Sequence, residues 1–526
     1  MGRYINRGNN DFSQARNSST YVDKSGLIAV INGTLFTEQR RSCVTRSRRF
    51  GKSMAANMLC AYYDRSCDSR PLFADLEIAK DPSFEKYLNK FPVIKLDLTD
   101  FTTRFKDNPD IVGLMQKELK DDIRKAYPGI IADDFDDDLM AMLSTIHQAT
   151  GDSFIMVIDE WDAICREFEP KGKVMDSFVN WLRRMFKGND TLNVFAGVYM
   201  TGILPIKKYN TESALNNFME YSMVSPGRMA SYLGFTKQEV MTLCRERGCD
   251  FDEMEKWYDG YVIGKEKSMF NPNSVIMSII KDEYCSYWAS TGAYDKVVTY
   301  IEMNYEGLKD DIIYMLSGGR CEVETTGFSN DMNDVRSKDD VLTVLIHLGY
   351  LSYDRENKEC YIPNYEVRGE MENAVKSSGW RVAQAITGSR KLLRATLDGD
   401  SDHVAQAIDK AHDENTSILS YNNENSLACV LNIAYIYAHN DYIIHRELPT
   451  GKGFADLTLI PRKNVDKPAI VLELKYRQDV EAAIDQIKRR EYTGKVAQYT
   501  GDILLVGISY DKREKRHTCL IETVSK

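Results

Sequence analysis

A chain of 526 residues with 43% hydrophobic and 28% charged residues is too long and too apolar to be a disordered tail, a collagen-like fibre or a disulfide-stapled miniprotein. It has room for three or four domains. Its net charge of −10, from 68 basic and 78 acidic residues, excludes a general polyanion-coating protein, so any contact with nucleic acid has to be local.

The charge is uneven. Residues 371–526 hold 22 basic and 21 acidic residues, against 46 and 57 in residues 1–370, which makes the C-terminal third the place for a polyanion. The 11 cysteines are scattered with no C-x-x-C pair, as expected of reduced thiols in a cytoplasmic protein. The chain opens on polar residues, and no apolar run approaches the roughly 20 residues of a membrane span. The expectation is a cytoplasmic protein with no membrane partner.

Residues 1–230 alternate short apolar runs with helical patterns. Ile28–Ile31, Val93–Leu98, Phe154–Ile158 and Val194–Met200 read as buried strands, and Ser53–Tyr63 and Asp176–Phe186 as helices. This alternation predicts an α/β domain, a parallel sheet with helices on both faces. The run Asp133, Asp134, Asp136, Asp137, Asp138 reads as an acidic loop or helix start.

Residues 231–370 are mainly helical. Thr236 and Glu239 form a capping box before Val240–Cys244. Val341–Leu348 reads as a helix, and Tyr350–Tyr353 and Cys360–Ile362 as a hairpin, together a helical and winged-helix type lid. Residues 371–526 open with helical stretches up to about Asp413. Then come a helix (Glu424–His439), three strands (Tyr442–Glu447, Ala455–Ile460, Ala469–Lys475), a helix (Val480–Tyr492) and a strand (Ile503–Ser509). This αβββαβ order makes a third domain.

Phe50-Gly51-Lys52-Ser53 ends a polar loop and opens a helix. In such a loop the backbone N–H groups and the helix N-terminus cradle phosphates. Lys52 fits the β/γ-phosphate contact and Ser53 the Mg2+ contact. The apolar run Phe154–Ile158 ends in Asp159-Glu160, where Asp159 can face Mg2+ and Glu160 can polarise a water. Val198-Tyr199-Met200-Thr201 is a third such run, and Thr201 can sense the γ-phosphate. Arg40, Arg41, Arg46, Arg48 and Arg49 read equally as triphosphate contacts or a surface patch. Arg49, two residues before Gly51, is counted with the nucleotide contacts.

Tyr21-Val22-Asp23-Lys24, Arg46-Ser47-Arg48-Arg49-Phe50-Gly51-Lys52-Ser53, Val157-Ile158-Asp159-Glu160, Thr201-Gly202-Ile203, Gly234-Phe235-Thr236 and Trp257-Tyr258-Asp259-Gly260-Tyr261 together resemble the predicted AAA-ATPase-like family. The resemblance runs over about residues 1–365 and implies ATP and Mg2+ as cofactors. It also implies a nucleotide-side role for Tyr21, Asp23 and Lys24. In that family the loop usually reads Arg-Pro-Arg-Arg-Phe-Gly-Lys-Ser. Arg46 therefore follows the family where the general pattern has glycine, and Ser47 replaces a proline.

Gly451-Lys452-Gly453-Phe454-Ala455-Asp456 is followed, seventeen residues after Asp456, by Glu473-Leu474-Lys475. On a strand, residues i and i+2 share a face. Glu473 and Lys475 therefore project together, and Asp456 on the adjacent strand can meet Glu473 across one metal. Two carboxylates suit a hard Mg2+, and Lys475 can neutralise a scissile phosphate. With Gln486 on the next helix, the segment resembles the PD-(D/E)XK nuclease superfamily, restriction-endonuclease-like in fold, over about residues 415–510. The resemblance implies a helix acid at Glu424. His445 and Glu447 read as lining or structural residues.

The expectation is an ATP-hydrolysing module fused to a Mg2+-dependent nuclease. DNA is the expected partner, RNA is not excluded, and a homo-oligomer is compatible. The alternative is an ATP-dependent switch or scaffold that binds nucleic acid or partners without cutting.

Overall fold

The computed structural model describes the chain except residues 1, 133–137, 169–171, 189–190, 207, 210–211, 214, 216, 289–292, 304, 306, 317, 330–334, 378–381, 416–430, 432–433, 436, 439–440, 450–453, 463–464, 477–479, 490–500, 512–513, 515 and 526. It divides into two compact units, one of residues 1–289 with 322–367 and one of residues 290–321 with 368–526.

The first unit is built on five parallel strands. They are β1 (Arg41–Thr45), β2 (Val93–Asp97), β3 (Phe154–Asp159), β4 (Phe195–Gly202) and β5 (Met219–Tyr221), in the order β2-β3-β4-β1-β5. Every residue of β1, β3 and β4 is buried, as expected of strands covered by helices on both faces. The alternation along β3 shows it. Phe154, Met156 and Ile158 enter one core with Ile94, Leu96, Val198 and Met200. Ile155 and Val157 enter the opposite one with Val44, Met58, Leu59 and Tyr199.

Ile28–Ile31 is not a strand. It lies inside helix α1 (Gly26–Asn32), which buries Leu27, Ile28 and Ile31. A four-residue aliphatic run suits either element. What decides here is Asp23, whose carboxylate accepts from Ser25 N at 2.8 Å and turns the chain into the helix. Helix α2 (Lys52–Tyr63) follows β1 and packs on the sheet through Ala55, Ala56, Met58 and Leu59. Asp138 caps the helix Leu139–Thr150 by accepting from Ala141 N. The rest of that acidic run lies outside the described residues.

The capping box forms as expected at α3 (Lys237–Arg247). Helix α4 (Lys338–Leu348) leads into the hairpin of β6 (Ser352–Asp354) and β7 (Glu359–Tyr361), whose strands sit one or two residues from the expected ones.

The second unit holds a five-stranded sheet of β8 (Tyr442–Pro449), β9 (Phe454–Pro461), β10 (Ala469–Tyr476), β11 (Ile503–Asp511) and β12 (Arg516–Val524), in that order. The one parallel pair is β10 with β11, joined through α5 (Val480–Arg489), and the other pairs are antiparallel. Strand β12 was not anticipated, because Arg516–Val524 mixes polar and apolar residues along a sheet edge. The expected helix Glu424–His439 lies mostly outside the described residues, Glu424 included.

Gly260 shows where backbone shape limits the sequence. It has φ +102°, and an added Cβ would stand 2.0 Å from the Pro363 carbonyl oxygen. Tyr361 donates to Gly260 O at 3.0 Å and Asn364 to Asp259 O at 2.8 Å, so neither side can yield. Gly129, at φ +78°, has nothing within 4 Å. Gly129→Ala should cost only the left-handed strain, about 1 kcal/mol. Gly260→Ala should cost distinctly more, above about 2 kcal/mol. Thermal melting of the two variants measures the ranking, and equal melting temperatures would contradict it.

Candidate active site

Strand β1 feeds the loop 46–51, and α2 starts at Lys52. Gly51 has φ +83° with open space where a Cβ would go, so its glycine serves the backbone turn. The first N–H groups of α2 lack helical acceptors, and Gly51, Lys52 and Ser53 line a cavity. Arg46 is fully buried. Its guanidinium donates to the carbonyls of Thr45 (2.8 Å), Tyr221 (3.3 Å) and Met229 (3.1 Å), and its N–H donates to Gly202 O at 3.1 Å. Burial pulls its pKa down to about 10, which leaves it charged at neutral pH.

The basic cluster therefore divides. Arg46 bolts the loop to the sheet, and Arg40 donates to Thr37 O and Phe195 O. Arg48 and Arg49 line a cavity of about 780 Å³. Gly51, Lys52, Ser53 and Glu160 line it too, with Tyr21, Lys24, Tyr232 and Phe235 at another part of the wall. Asp159 and Thr201 are not among the lining residues.

Lys52, almost fully buried, donates to Ser47 O at 3.2 Å and lies 3.5 Å from Glu160 Oε1. The Ser53 side chain stands close enough to the Asp159 carboxylate to favour its charged form. Burial, reinforced by Glu160 and Asp97, pushes the Asp159 pKa up to about 6 against the pull of Ser53 and Lys52. Glu160 holds a left-handed φ of +50°, and its Oε2 accepts from Arg166 at 2.6 Å. Thr201 is buried, its hydroxyl without a hydrogen-bond partner among the described residues. It pairs in register with Val44 of β1.

Of the three N-terminal residues, two line the cavity. Tyr21 lies under Arg16, 4.9 Å from the guanidinium to its ring centroid. Lys24 donates to Ser231 O and to Glu239 of the capping box, each at 2.7 Å. Asp23 instead accepts from Ser25 N and Glu77 N.

Sequence reasoning missed four participants. Asp162 is buried and accepts from Ile203 N and Leu204 N at 3.2 and 3.1 Å. Arg166 faces it at 3.2 Å as well as bonding Glu160. The i, i+4 spacing of Asp162 and Arg166 was the available signal. Asp97 ends β2 in register with Asp159 and lines the cavity. Gly202 leaves no room for a Cβ, which would stand 2.5 Å from Asp162 Oδ1.

In the second unit, Glu473 is only 2% exposed. Gln486 on α5 donates to it, and Lys475 Nζ lies 3.3 Å from its Oε1. Its register partner on β11 is Gly507, where a Cβ would come within 3.0–3.2 Å of α5. That glycine lets the helix sit low enough for Gln486 to reach. The pair Leu457↔Leu472 puts positions 456 and 473 side by side. The pairs Arg446↔Leu457 and Leu448↔Ala455 put position 447 across from 456. Positions 447, 456 and 473 thus form one row over three strands. The side chains of Asp456 and Glu447 lie outside the described residues, as does Glu424.

Residues 7–211 match the family model described as predicted AAA-ATPase, and residues 422–518 the model described as PD-(D/E)XK nuclease superfamily. One chain carries both an AAA-ATPase-like region and a PD-(D/E)XK nuclease-superfamily region. Among solved structures it is similar to the Walker-type ATPase of Pyrococcus abyssi, at 12% identity over 66% of this chain and 94% of that one, with a TM-score of 0.33. It is also similar to the ORC2 protein of Aeropyrum pernix in ADPNP–ADP complexes, at 11% identity over 70% and 98%, with a TM-score of 0.30. No curated protein matches.

The raised Asp159 pKa makes the AAA-ATPase-like region sensitive to pH. With a folded value near 6 against the ordinary 3.8, the folded chain binds more protons than the unfolded one between about pH 4 and pH 6. Stability therefore falls as pH rises through that window and stays lower above it. In nucleotide- and metal-free protein, Asp159→Asn should melt higher than wild type at pH 7.5, by up to about 3 kcal/mol. At pH 4 the two should melt alike. A gain of the same size at both pH values would refute the assignment.

Proposed function

We propose that the chain binds and hydrolyses ATP at the cavity bounded by Gly51, Lys52, Ser53 and Glu160, and that its second unit is a Mg2+-dependent nuclease acting on DNA. The observation that carries the first half is that Lys52, Ser53 and Glu160 line one cavity, with Asp159 directly before Glu160 and close to Ser53, from segments about one hundred residues apart in sequence.

The donor set fits the ion. Ser53 and Asp159 offer oxygen ligands, as a hard cation requires. A buried carboxylate whose pKa is raised also gains from a divalent charge beside it. Mg2+ at that place would supply positive charge to the phosphate oxygens. Lys52 reaches the β/γ-phosphates by leaving Ser47 O and Glu160. Glu160 Oε1, once freed, faces the cavity and accepts a proton from the attacking water, while Arg166 keeps Oε2 fixed. Tyr21 and Lys24 belong to the wall proposed for the base.

In the second unit, Asp456 and Glu473 are the proposed metal carboxylates, and Lys475 neutralises the scissile phosphate. Adjacent positions on neighbouring strands fit a shared hard cation. The near-neutral balance of residues 371–526 suits an anionic polymer better than the acidic remainder does. No helix among the described residues is long and apolar enough to cross a membrane, and the work is proposed for the cytoplasm. One observation favours a second reading, a nuclease-like fold that binds without cutting. Glu473 is almost wholly covered and already bonded by Gln486 and Lys475.

Two sets of variants test the proposal. Lys52→Ala should abolish tight ATP binding, and Glu160→Gln should keep ATP bound while turnover drops at least about 100-fold, the scale of a lost general base. Calorimetry and phosphate release measure both, and native turnover in Glu160→Gln would place the base elsewhere.

For the second unit, plasmid nicking with and without ATP and Mg2+ or Mn2+ is the assay. Asp456→Ala and Glu473→Ala should stop cleavage without weakening DNA binding, and Lys475→Ala should slow it. A wild-type chain that binds DNA but nicks nothing under any of these conditions would establish the second reading instead.

A further inference from the structure

Four basic side chains stand at the phosphate end of the cavity: Arg48, Arg49, Lys52 and Arg166. Three have partners. Lys52 and Arg166 are both drawn to Glu160, at 3.5 and 2.6 Å, and Arg166 also faces Asp162. Arg49 is exposed and donates to the Tyr287 carbonyl.

Arg48 is different. Its side chain is partly buried, lines the cavity and feels the charges of Arg166, Glu160 and Asp162. No hydrogen bond or ion pair engages its guanidinium among the described residues. A guanidinium partly withdrawn from water beside another one, without a bond of its own, is poorly compensated. An anion with several oxygens corrects this, and Arg geometry suits phosphate.

The backbone holds Arg48 in place. Its carbonyl accepts from Asn271 Nδ2 at 3.5 Å. Ser47 before it is packed so closely against Gly349 that a Cβ there would stand 2.6 Å away. Phe50 after it meets Tyr261 edge-on, with ring centroids 5.1 Å apart. Arg48 lines the same cavity as Glu160, the proposed water-polarising carboxylate, and feels its charge.

We propose that Arg48 binds the terminal phosphate of a nucleoside triphosphate, so that this chain itself supplies the guanidinium that distinguishes a triphosphate from a diphosphate. The proposal rests on the nucleotide reading of the cavity. It adds that Arg48 carries the selection while Arg166 remains with Glu160 as a positioning residue.

The test is calorimetric titration of the full chain with Mg2+ and either ADP or a non-hydrolysable ATP analogue, for wild type, Arg48→Ala and Arg48→Lys. Arg48→Ala should weaken the triphosphate about 10- to 100-fold, the value of one charge-assisted contact. It should change ADP affinity less than about twofold, which also shows that the variant is folded. Arg48→Lys should fall between the two. Equal loss of both nucleotides, or an unchanged triphosphate affinity, overturns the proposal while leaving the cavity a nucleotide site. A wild-type chain that binds neither nucleotide overturns the nucleotide reading and this proposal with it.

Discussion

The cavity lined by Lys52 and Glu160 depends on a guanidinium that has no carboxylate beside it among the described residues. Withdrawing the charge of Arg46 from water costs several kcal/mol. The three carbonyls it reaches return roughly 1.5–3 kcal/mol each as charge-assisted bonds. Those carbonyls come from the end of β1, from β5 and from the turn near Met229. One side chain thus ties the phosphate loop to strands that would otherwise leave it free. A glycine at that position would give a supple loop with no such tie. With Arg46 the loop is fixed from beneath, and only its outer residues, Arg48 to Ser53, are left to meet a ligand.

Above that bolt, charge is arranged so that a ligand has something to displace. Lys52 and Arg166 approach different oxygens of Glu160, and the left-handed backbone of Glu160 turns its carboxylate toward them. Asp162 anchors Arg166 and is itself held by the N–H groups of Ile203 and Leu204, just past Thr201 and Gly202. The end of β4 is thereby linked through Asp162 and Arg166 to the carboxylate facing the cavity. A phosphate group that removes Lys52 from Glu160 acts on the free end of this chain of contacts, and the buried end keeps the geometry.

Much of this was legible in the residues, for identifiable reasons. Fully buried parallel strands carry their apolar character on both faces, so Phe154–Ile158 was unambiguous and Asp159-Glu160 had to lie at its tip. The capping box at Thr236 and Glu239 was readable because its chemistry is local. Ile28–Ile31 misled because four aliphatics carry no period, and the deciding contact came from Asp23. Arg46, Asp162 and Arg48 could not be separated by sequence, since their roles depend on which carbonyl, amide or empty space lies across the fold. Strand β12 was hidden by its edge position, where one side lacks a neighbour and the alternation is diluted. Gly507 carried no signal at all, because its constraint is the height of α5 above Glu473.

The two sites share a device and differ in access to water. Each sets a carboxylate on an inner strand beside a polar side chain of a packed helix: Ser53 near Asp159, Gln486 bonded to Glu473. At the first site the working carboxylate is one residue further on. The Glu160 side chain is 20% exposed on a cavity large enough for a nucleotide. At the second, the carboxylate bonded by the helix is also the proposed ligand, and it is covered. Gln486 and Lys475 both meet its Oε1, so under the proposed reading a metal at that oxygen would compete with them. In that reading Asp456 and Glu473 would hold the cation, which would supply positive charge to a phosphate, and Lys475 would neutralise it further. Under the proposed reading, ion entry would control the second unit, and exchange of Lys52 from one anion to another would control the first.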